Sequence, residues 1–438
     1  MNKFELNIFC NYSKSLSLVL FQLALFLVLF PEIGLIRLPS DAQPYFVVVM
    51  LLGIILNLKK GYRYSVLLIP FFIILLFSTL SFLISIFNTD NFFTLFRSYF
   101  GYLSSFIVMF YLFRFRHFFS STIIIPLLDF SVKFIYLGFI LNLIGLNKVV
   151  QLLVNRAEFR FDGARGLVSF YSEQSQMVTA CFVILFLYIH FRQLTFKRGF
   201  FVILAILLSA SGQAFIEILL VAFFYFVSYI LFVFYKLRVN RNFFKIFTLA
   251  ILFLFVLNYG INNLDFKFRV FEVFKNFNLD KGLYLLGSDY SITWKVQGVF
   301  LAIATLIADP FNFQISALTE TDVIERLYDT HYAIYNYVFG VSYPRFGDRV
   351  YSAFGTWIVD FGIFGFSMYI LFVVLFIFNI FKNNHYHPIV MTSIFYVLYV
   401  TMIKVGLSTP TIFLVVFSTY TMALSPKNQQ FIPINNNI

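Results

Sequence analysis

Apolar residues in this chain do not alternate with polar ones. They come in long blocks, each closed by a few Gly, Pro, Asn or basic residues. Strict alternation would predict half-buried strands, and a three-to-four-residue period an amphipathic helix. Blocks of this kind instead predict helices that are apolar all round, the pattern of segments that cross the hydrocarbon in about 20 residues. The pattern places such helices at 16–36, 43–58, 65–87, 98–113, 122–146, 174–191, 200–212, 214–235, 246–260, 353–381, 386–403 and 408–424. The segment Ser209-Ala-Ser-Gly-Gln213 is short and polar, so the helices on either side should form an antiparallel hairpin. The run Gly298–Ala308 is too short to span and is expected on, or dipping into, the membrane surface. The class is an all-α polytopic integral membrane protein with about twelve transmembrane helices.

Composition agrees. Of 438 residues 61% are hydrophobic and only 12% charged, half the charge of a soluble domain, which excludes a soluble globular enzyme, a disordered chain and a disulfide scaffold. The net charge of +12 would suit nucleic acid, but the basic residues sit in clusters at the ends of apolar runs rather than along one polar face. Those clusters orient the chain by the positive-inside rule. With the N-terminus in the cytoplasm, the inner segments hold Lys3, Lys14, Lys59, Lys60, Arg63, Arg114, Arg116, Arg192, Lys197, Arg198, Lys236, Arg238, Arg241, Lys245, Lys382 and Lys427. The short outer loops hold only Arg37, Arg97 and Lys404. Both termini are therefore expected in the cytoplasm. The first apolar run lacks a small-residue cleavage site after it and is read as a retained span. Cys10 and Cys181 suggest neither a disulfide nor a metal site.

This orientation divides the chain into helices one to five (1–146), a medium outer loop (147–173), helices six to nine (174–260), a large outer loop (261–352), and the last three helices with a cytoplasmic tail (353–438). Loops longer than about 12–15 residues are usually functional or disordered. The large loop is rich in Tyr and Phe, which argues for order.

The candidate chemistry lies mostly in these two loops. The medium loop gathers Arg156, Arg160 and Arg165 around Gly163 and Gly166, with Glu173 at the start of the next span. Guanidinium forks bind phosphate oxygens in pairs, and glycines let backbone N–H groups approach an anion. The plainer reading is pairing with acids and lipid headgroups. The large loop ends with Arg345 and Arg349 flanking Gly347, close enough to the membrane to reach the headgroup layer. Asp360 falls inside a span, where a carboxylate faces a cavity or a partner rather than lipid. Glu217 lies one turn past the 209–213 hairpin and either shares the arginines' cavity or pairs structurally. Asp129 and Lys133, four apart in one helix, are expected to neutralise each other. His331 is the only histidine in the outer loops and the natural proton-transfer candidate near neutral pH. The acids Glu320, Asp322, Glu325 and Asp329 read as a solvated face, and no HExxH or Walker A pattern occurs.

In order and placement these residues resemble the Wzy-type O-antigen polymerase family and, more distantly, the O-antigen ligases. Arg160-Phe-Asp-Gly163 followed by Tyr171-Ser-Glu173-Gln-Ser175 is similar to the family's Arg-x-x-Gly…Glu-Pro-Ser, with Gln174 in place of Pro. Ser209-Ala-Ser211-Gly-Gln213 resembles the Thr-x-Ser-Arg-x-Gly segment without its Arg, and Tyr337-Val-Phe-Gly340-Val loosely resembles Asn-Pro-x-x-Gly-x-Gly. Asp360-Phe-Gly362-Ile-Phe-Gly365 matches Glu-x-Gly-x-x-Gly with an acid swap. Tyr351 and Ser352 replace the family's His-Asn pair, which counts against a ligase.

The resemblance implies a GT-C-like membrane glycosyltransferase in the bacterial inner membrane, with its active site facing the periplasm and no cofactor or metal. Its substrate would be undecaprenyl-diphosphate-linked oligosaccharide, polymerised for lipopolysaccharide or another surface polysaccharide. A chain-length regulator and a flippase would be its partners besides the lipid bilayer, with no role for nucleic acid. Arg160, Glu173, Arg345 and His331 would be catalytic. Arg156, Arg165, Arg349, Glu217 and Asp360 would bind substrate. The competing class is a polysaccharide flippase or other secondary transporter, which keeps outer loops short and puts ionisable residues near the midplane.

Overall fold

In the computed structural model the described residues are 3–34, 43–57, 65–87, 92–154, 167–236 except 168, 172–173 and 210–211, 290–315 except 314, short pieces of 329–338, 352–382, 388–404 and 409–424. They are helical throughout apart from one isolated antiparallel bridge between Ile33 and Val154. In chain order the helices are α1 (Lys3–Leu29), α2 (Tyr45–Leu56), α3 (Leu68–Ser85), α4 (Phe92–Arg114), α5 (Ser121–Leu143), α6 (Asn147–Leu153), α7 (Gln174–His190), α8 (Phe196–Leu208) and α9 (Gly212–Lys236). They continue with α10 (Tyr290–Ala308), α11 (Ala353–Lys382), α12 (Pro388–Tyr399), which runs on into a π-helical turn at Val400–Lys404, and α13 (Thr411–Leu424).

Eleven of the twelve expected stretches are therefore helices, and 246–260 lies outside the described residues. Four helical stretches, Leu68–Ser85, Leu95–Arg114, Ser121–Leu143 and Ala353–Phe381, are long and apolar enough to cross a membrane, and the other apolar helices found are 10–17 residues long. Large apolar side chains stay exposed on their flanks, among them Leu52, Ile55, Ile84, Leu143, Phe223 and Phe378. That distribution suits a bundle solvated by lipid, and the protein is a membrane-embedded helical bundle. Inside, the packing is aromatic. The ring of Phe71 meets Trp357, Phe372 and Phe413 edge-on at centroid distances of 5.5, 5.5 and 5.6 Å, and Phe134 stacks on Phe170 at 4.1 Å.

The structure extends one expectation and corrects another. First, α10 begins eight residues before the run at 298–308, and its residues Leu301, Ala302, Ala304 and Thr305 are buried. It packs along α11 and the π-turn. Burial against other helices, not apolarity alone, stabilises it, and a hydropathy window does not register that.

Second, α11 is not one straight span. Gly362 has φ 51° and ψ −129°, and the chain folds back there. Phe354 and Tyr369 would lie about 22 Å apart along a continuous helix, yet their rings are 4.8 Å apart. Trp357 likewise meets Tyr369 at 6.2 Å. The arm 353–361 thus re-enters the bundle and lies against 363–382. The second arm, at 20 residues, is about 30 Å long and can span alone.

Both glycines of the elbow are required by space. A Cβ on Gly362 would lie 2.1 Å from the Pro310 carbonyl oxygen, in a φ region that L side chains rarely adopt. A Cβ on Gly365 would lie 1.8 Å from the carbonyl oxygen of Trp357, on the returning arm. Gly362→Ala and Gly365→Ala should each destabilise the protein by about 2 kcal/mol or more, seen as early loss of the monomeric peak when detergent-purified protein is heated. Gly199→Ala, whose Cβ would meet Leu194 at an ordinary 3.4 Å, should leave that temperature unchanged.

Candidate functional site

A helix break buried inside the protein frees backbone groups that water cannot reach, so neighbouring groups must satisfy them. In α11 the i→i−4 bond from Ile363 N–H to the Val359 carbonyl is replaced from outside. Ile363 N–H donates to the Pro310 carbonyl at 2.7 Å, and the Val359 carbonyl accepts from Asn312 Nδ2 at 2.6 Å. Both partners belong to the turn Asp309-Pro-Phe-Asn-Phe313 that follows α10. The turn is fastened by Asp309 N–H to Thr305 O at 2.8 Å and by Ile315 N–H to Ser81 Oγ on α3 at 2.8 Å. Phe313, Phe361 and Phe77 pack around it, with centroid distances of 5.4 to 6.2 Å.

Asp360 lies two residues before the elbow and is buried. Its Oδ2 accepts a 2.5 Å hydrogen bond from Tyr102 of α4, whose hydroxyl also lies 3.4 Å from the Thr356 carbonyl. Among the described residues no ion pair reaches Asp360. The Asp360-x-Gly362-x-x-Gly365 pattern therefore has a definite structural meaning. The acid is held between two arms, the first glycine makes the turn, and the second lets the arms touch.

Glu217 is placed differently. On α9 it is fully buried and pairs with Lys404 Nζ of the π-turn, while Tyr396 of α12 donates to its other oxygen at 3.3 Å. The positive-inside orientation expects Lys404 and Arg97 in short outer loops, whereas Lys404 belongs to a buried helical turn and Arg97 lies in the second turn of α4. A lysine at the end of an apolar run looks like a loop residue until a facing helix supplies its counter-charge. The π-turn also bonds α11, through Tyr369 and Thr401 hydroxyls 2.8 Å apart.

Asp129 is a further correction. Its main partner is not Lys133 but Arg198 of α8, which approaches in a fork, Nε to Oδ1 at 2.9 Å and Nη2 to Oδ2 at 2.8 Å. Tyr188 donates to Oδ1 at 2.7 Å, and the guanidinium carbon sits 5.4 Å from the centre of the Tyr188 ring. The planar fork on a facing helix outcompetes a flexible lysine on the same helix. This cluster joins α5, α7 and α8 near the ends that the positive-inside rule puts inside.

Arg156, Arg160, Arg165, Glu173, His331, Arg345 and Arg349 lie outside the described residues. The structure does fix where the medium loop is attached. Before it, Ile33 and Val154 form the bridge, and Gly34 N–H donates to the Leu153 carbonyl at 2.9 Å. After it, Leu167 N–H donates to the Leu208 carbonyl at 2.9 Å, and Tyr171 donates to the Leu29 carbonyl at 3.0 Å. Both ends are thus tied to the bundle end where α1 and α8 finish and α9 begins.

Tyr102, Pro310, Asn312, Arg198 and Lys404 were not singled out from the sequence. Only Pro310 and Asn312 left a signal, a turn-forming pair directly after an apolar helix. No group of three or more His, Cys, Asp or Glu able to hold a metal occurs among the described residues. Among known proteins no family model matches the chain, and no curated protein is a significant match.

Replacing one member of the Glu217–Lys404 pair strands a buried charge, which costs about 3–5 kcal/mol, whereas removing both is often neutral. Lys404→Met should therefore strongly lower thermal stability in detergent, and Glu217→Leu combined with Lys404→Met should recover most of the loss.

Proposed function

We propose that this chain is a membrane glycosyltransferase of the Wzy polymerase type. It transfers a growing glycan from undecaprenyl diphosphate onto a lipid-linked repeat unit at the outer face of the bacterial inner membrane. The observation that carries the reading is the Asp360-x-Gly362-x-x-Gly365 segment, singled out by its acid within an apolar run and by resemblance, which forms a re-entrant elbow beside a buried acid rather than a plain span. Supporting it is the attachment of the medium loop at one end of the bundle.

The chemistry needs no metal. A hydroxyl of the acceptor sugar attacks the anomeric carbon of the donor, the carbon–oxygen bond to the diphosphate breaks, and the lipid diphosphate leaves with the electron pair. Preorganised guanidinium groups stabilise the charge that develops on it. In this reading Arg160 and Arg345 take that role first, and Arg156, Arg165 and Arg349 hold the diphosphate. Glu173 orients an arginine or takes the acceptor's proton, and His331 is the other base candidate. Asp360 and Glu217 belong to the wall of the substrate site, Asp360 through the elbow and Glu217 through its pair with Lys404.

One observation favours a second reading, a polysaccharide flippase or other secondary transporter. Transporters place discontinuous helices and paired intramembrane charges at their substrate sites, and here a broken helix lies beside a buried Glu–Lys pair.

Purified protein in liposomes with lipid-linked repeat unit, but without nucleotide sugar or metal, separates the two. The polymerase reading expects longer chains, abolished by Arg160→Ala or Arg345→Ala with membrane insertion unchanged. Labelled substrate that crosses the bilayer without lengthening would establish the transporter instead.

A further inference from the structure

We propose that Asp360 is an intramembrane proton-binding site, and that the bound proton latches the re-entrant arm 353–361 in place. The inference does not rest on the polymerase reading.

It rests on the surroundings of the carboxyl. Asp360 sits on the shorter, returning arm, and its one described hydrogen bond ties that arm to α4 through Tyr102. Among the described side chains, no ion pair from a packed element reaches the carboxyl. From α4 comes the phenol of Tyr102, and from α3 come Phe77 and Ser81, whose hydroxyl is occupied by Ile315 N–H. The turn after α10 brings Asn312, already spent on the Val359 carbonyl, and Asp309, a second acid. The second arm and the π-turn bring the Tyr369 and Thr401 hydroxyls, which bond each other, and Lys404, which is committed to Glu217. α13 brings Phe413, beside Phe71 and Trp357.

An ionised carboxylate in such a place is costly. The bond that Tyr102 donates favours the charged form and offsets part of that cost, but the loss of water outweighs it, so the neutral carboxyl fits the closed arm better. The arm is therefore held while the proton is bound, and losing the proton favours any arrangement that lets water reach Asp360. The arm is nine residues long, is joined to the spanning arm by a glycine turn, and is otherwise fastened by the Asn312 bond, by the Tyr102 hydroxyl near the Thr356 carbonyl, and by the burial of Phe354, Trp357, Ile358 and Phe361. The sign follows directly: the arm is latched at low pH and released as pH rises.

The chain has two tryptophans, and Trp357 rides on the arm, buried against Phe71 and Tyr369. Trp294→Phe leaves it as the only indole reporter. In nanodiscs between about pH 5 and pH 9, quenching of Trp357 by aqueous iodide should rise at least about twofold as the carboxyl ionises and the arm loosens. Adding Asp360→Asn, which keeps a polar group but cannot ionise, should hold quenching at its low-pH value throughout. A flat response in Trp294→Phe protein, or the same pH dependence with Asp360→Asn, would overturn the proposal.

A second measurement keeps the test independent of that variant's folding. Infrared difference spectra of the wild-type protein should show a protonated carboxyl band that disappears as pH rises, and Tyr102→Phe should shift it. No such titrating band, the result expected if a guanidinium from the large loop pairs with Asp360, would refute the latch.

Discussion

In hydrocarbon every backbone N–H and C=O must find a partner inside the protein. The rest of this structure follows from how that constraint is met at Gly362. A helix that simply stopped there would leave the Val359 carbonyl without a donor and the Ile363 N–H without an acceptor, out of reach of water, at a cost of several kcal/mol. The turn at 309–313 supplies both replacements, and this binds α10 to α11 and, through Ser81, to α3. The elbow, the docking of α10 and the burial of Asp360 are one arrangement.

Charges obey the same rule, and three of the described acids meet it in different ways. Asp129 takes a guanidinium fork where desolvation is incomplete and the pair can be held by geometry. Glu217 takes a lysine and a phenol in full burial, an arrangement that adds more to specificity of packing than to stability. Asp360 takes a phenol alone. Only the last leaves the charge state open, and it is the one that lies on a movable element.

Much of the architecture was legible in the sequence because a long apolar block has one stable solution in lipid, a helix. Eleven of the expected stretches are helices for that reason, and the placement of Lys59, Arg114 and Arg198 at run ends follows from the cost of burying them. What was not legible depends on a partner far along the chain. Nothing local distinguishes a straight 353–382 helix from a folded one, because Gly362 and Gly365 are tolerated in a membrane helix too, and the group that opens it, Pro310, is about fifty residues away. Asp129 was matched to Lys133 because only same-helix neighbours can be read from spacing. Its actual partner sits on another helix. The arginine-rich loops, which carry most of the proposed chemistry, were legible as composition and motif only, since polar loop residues have no periodicity from which to infer contact.

The elbow also bears on why an acid in a Gly-containing motif would persist at this position. An uncharged residue at 360 could fill the same space and leave Tyr102 a partner, so packing alone does not require a carboxyl. A carboxyl differs from an amide only in having two protonation states, and that difference matters only where the two states favour different structures. Here they do. The neutral form suits the closed arm against α4, and the ionised form requires water or a cation that the closed arm excludes. A group whose preferred surroundings change with its charge, mounted on a short arm beside a glycine turn, couples whatever sets that charge to the shape of the bundle at this end.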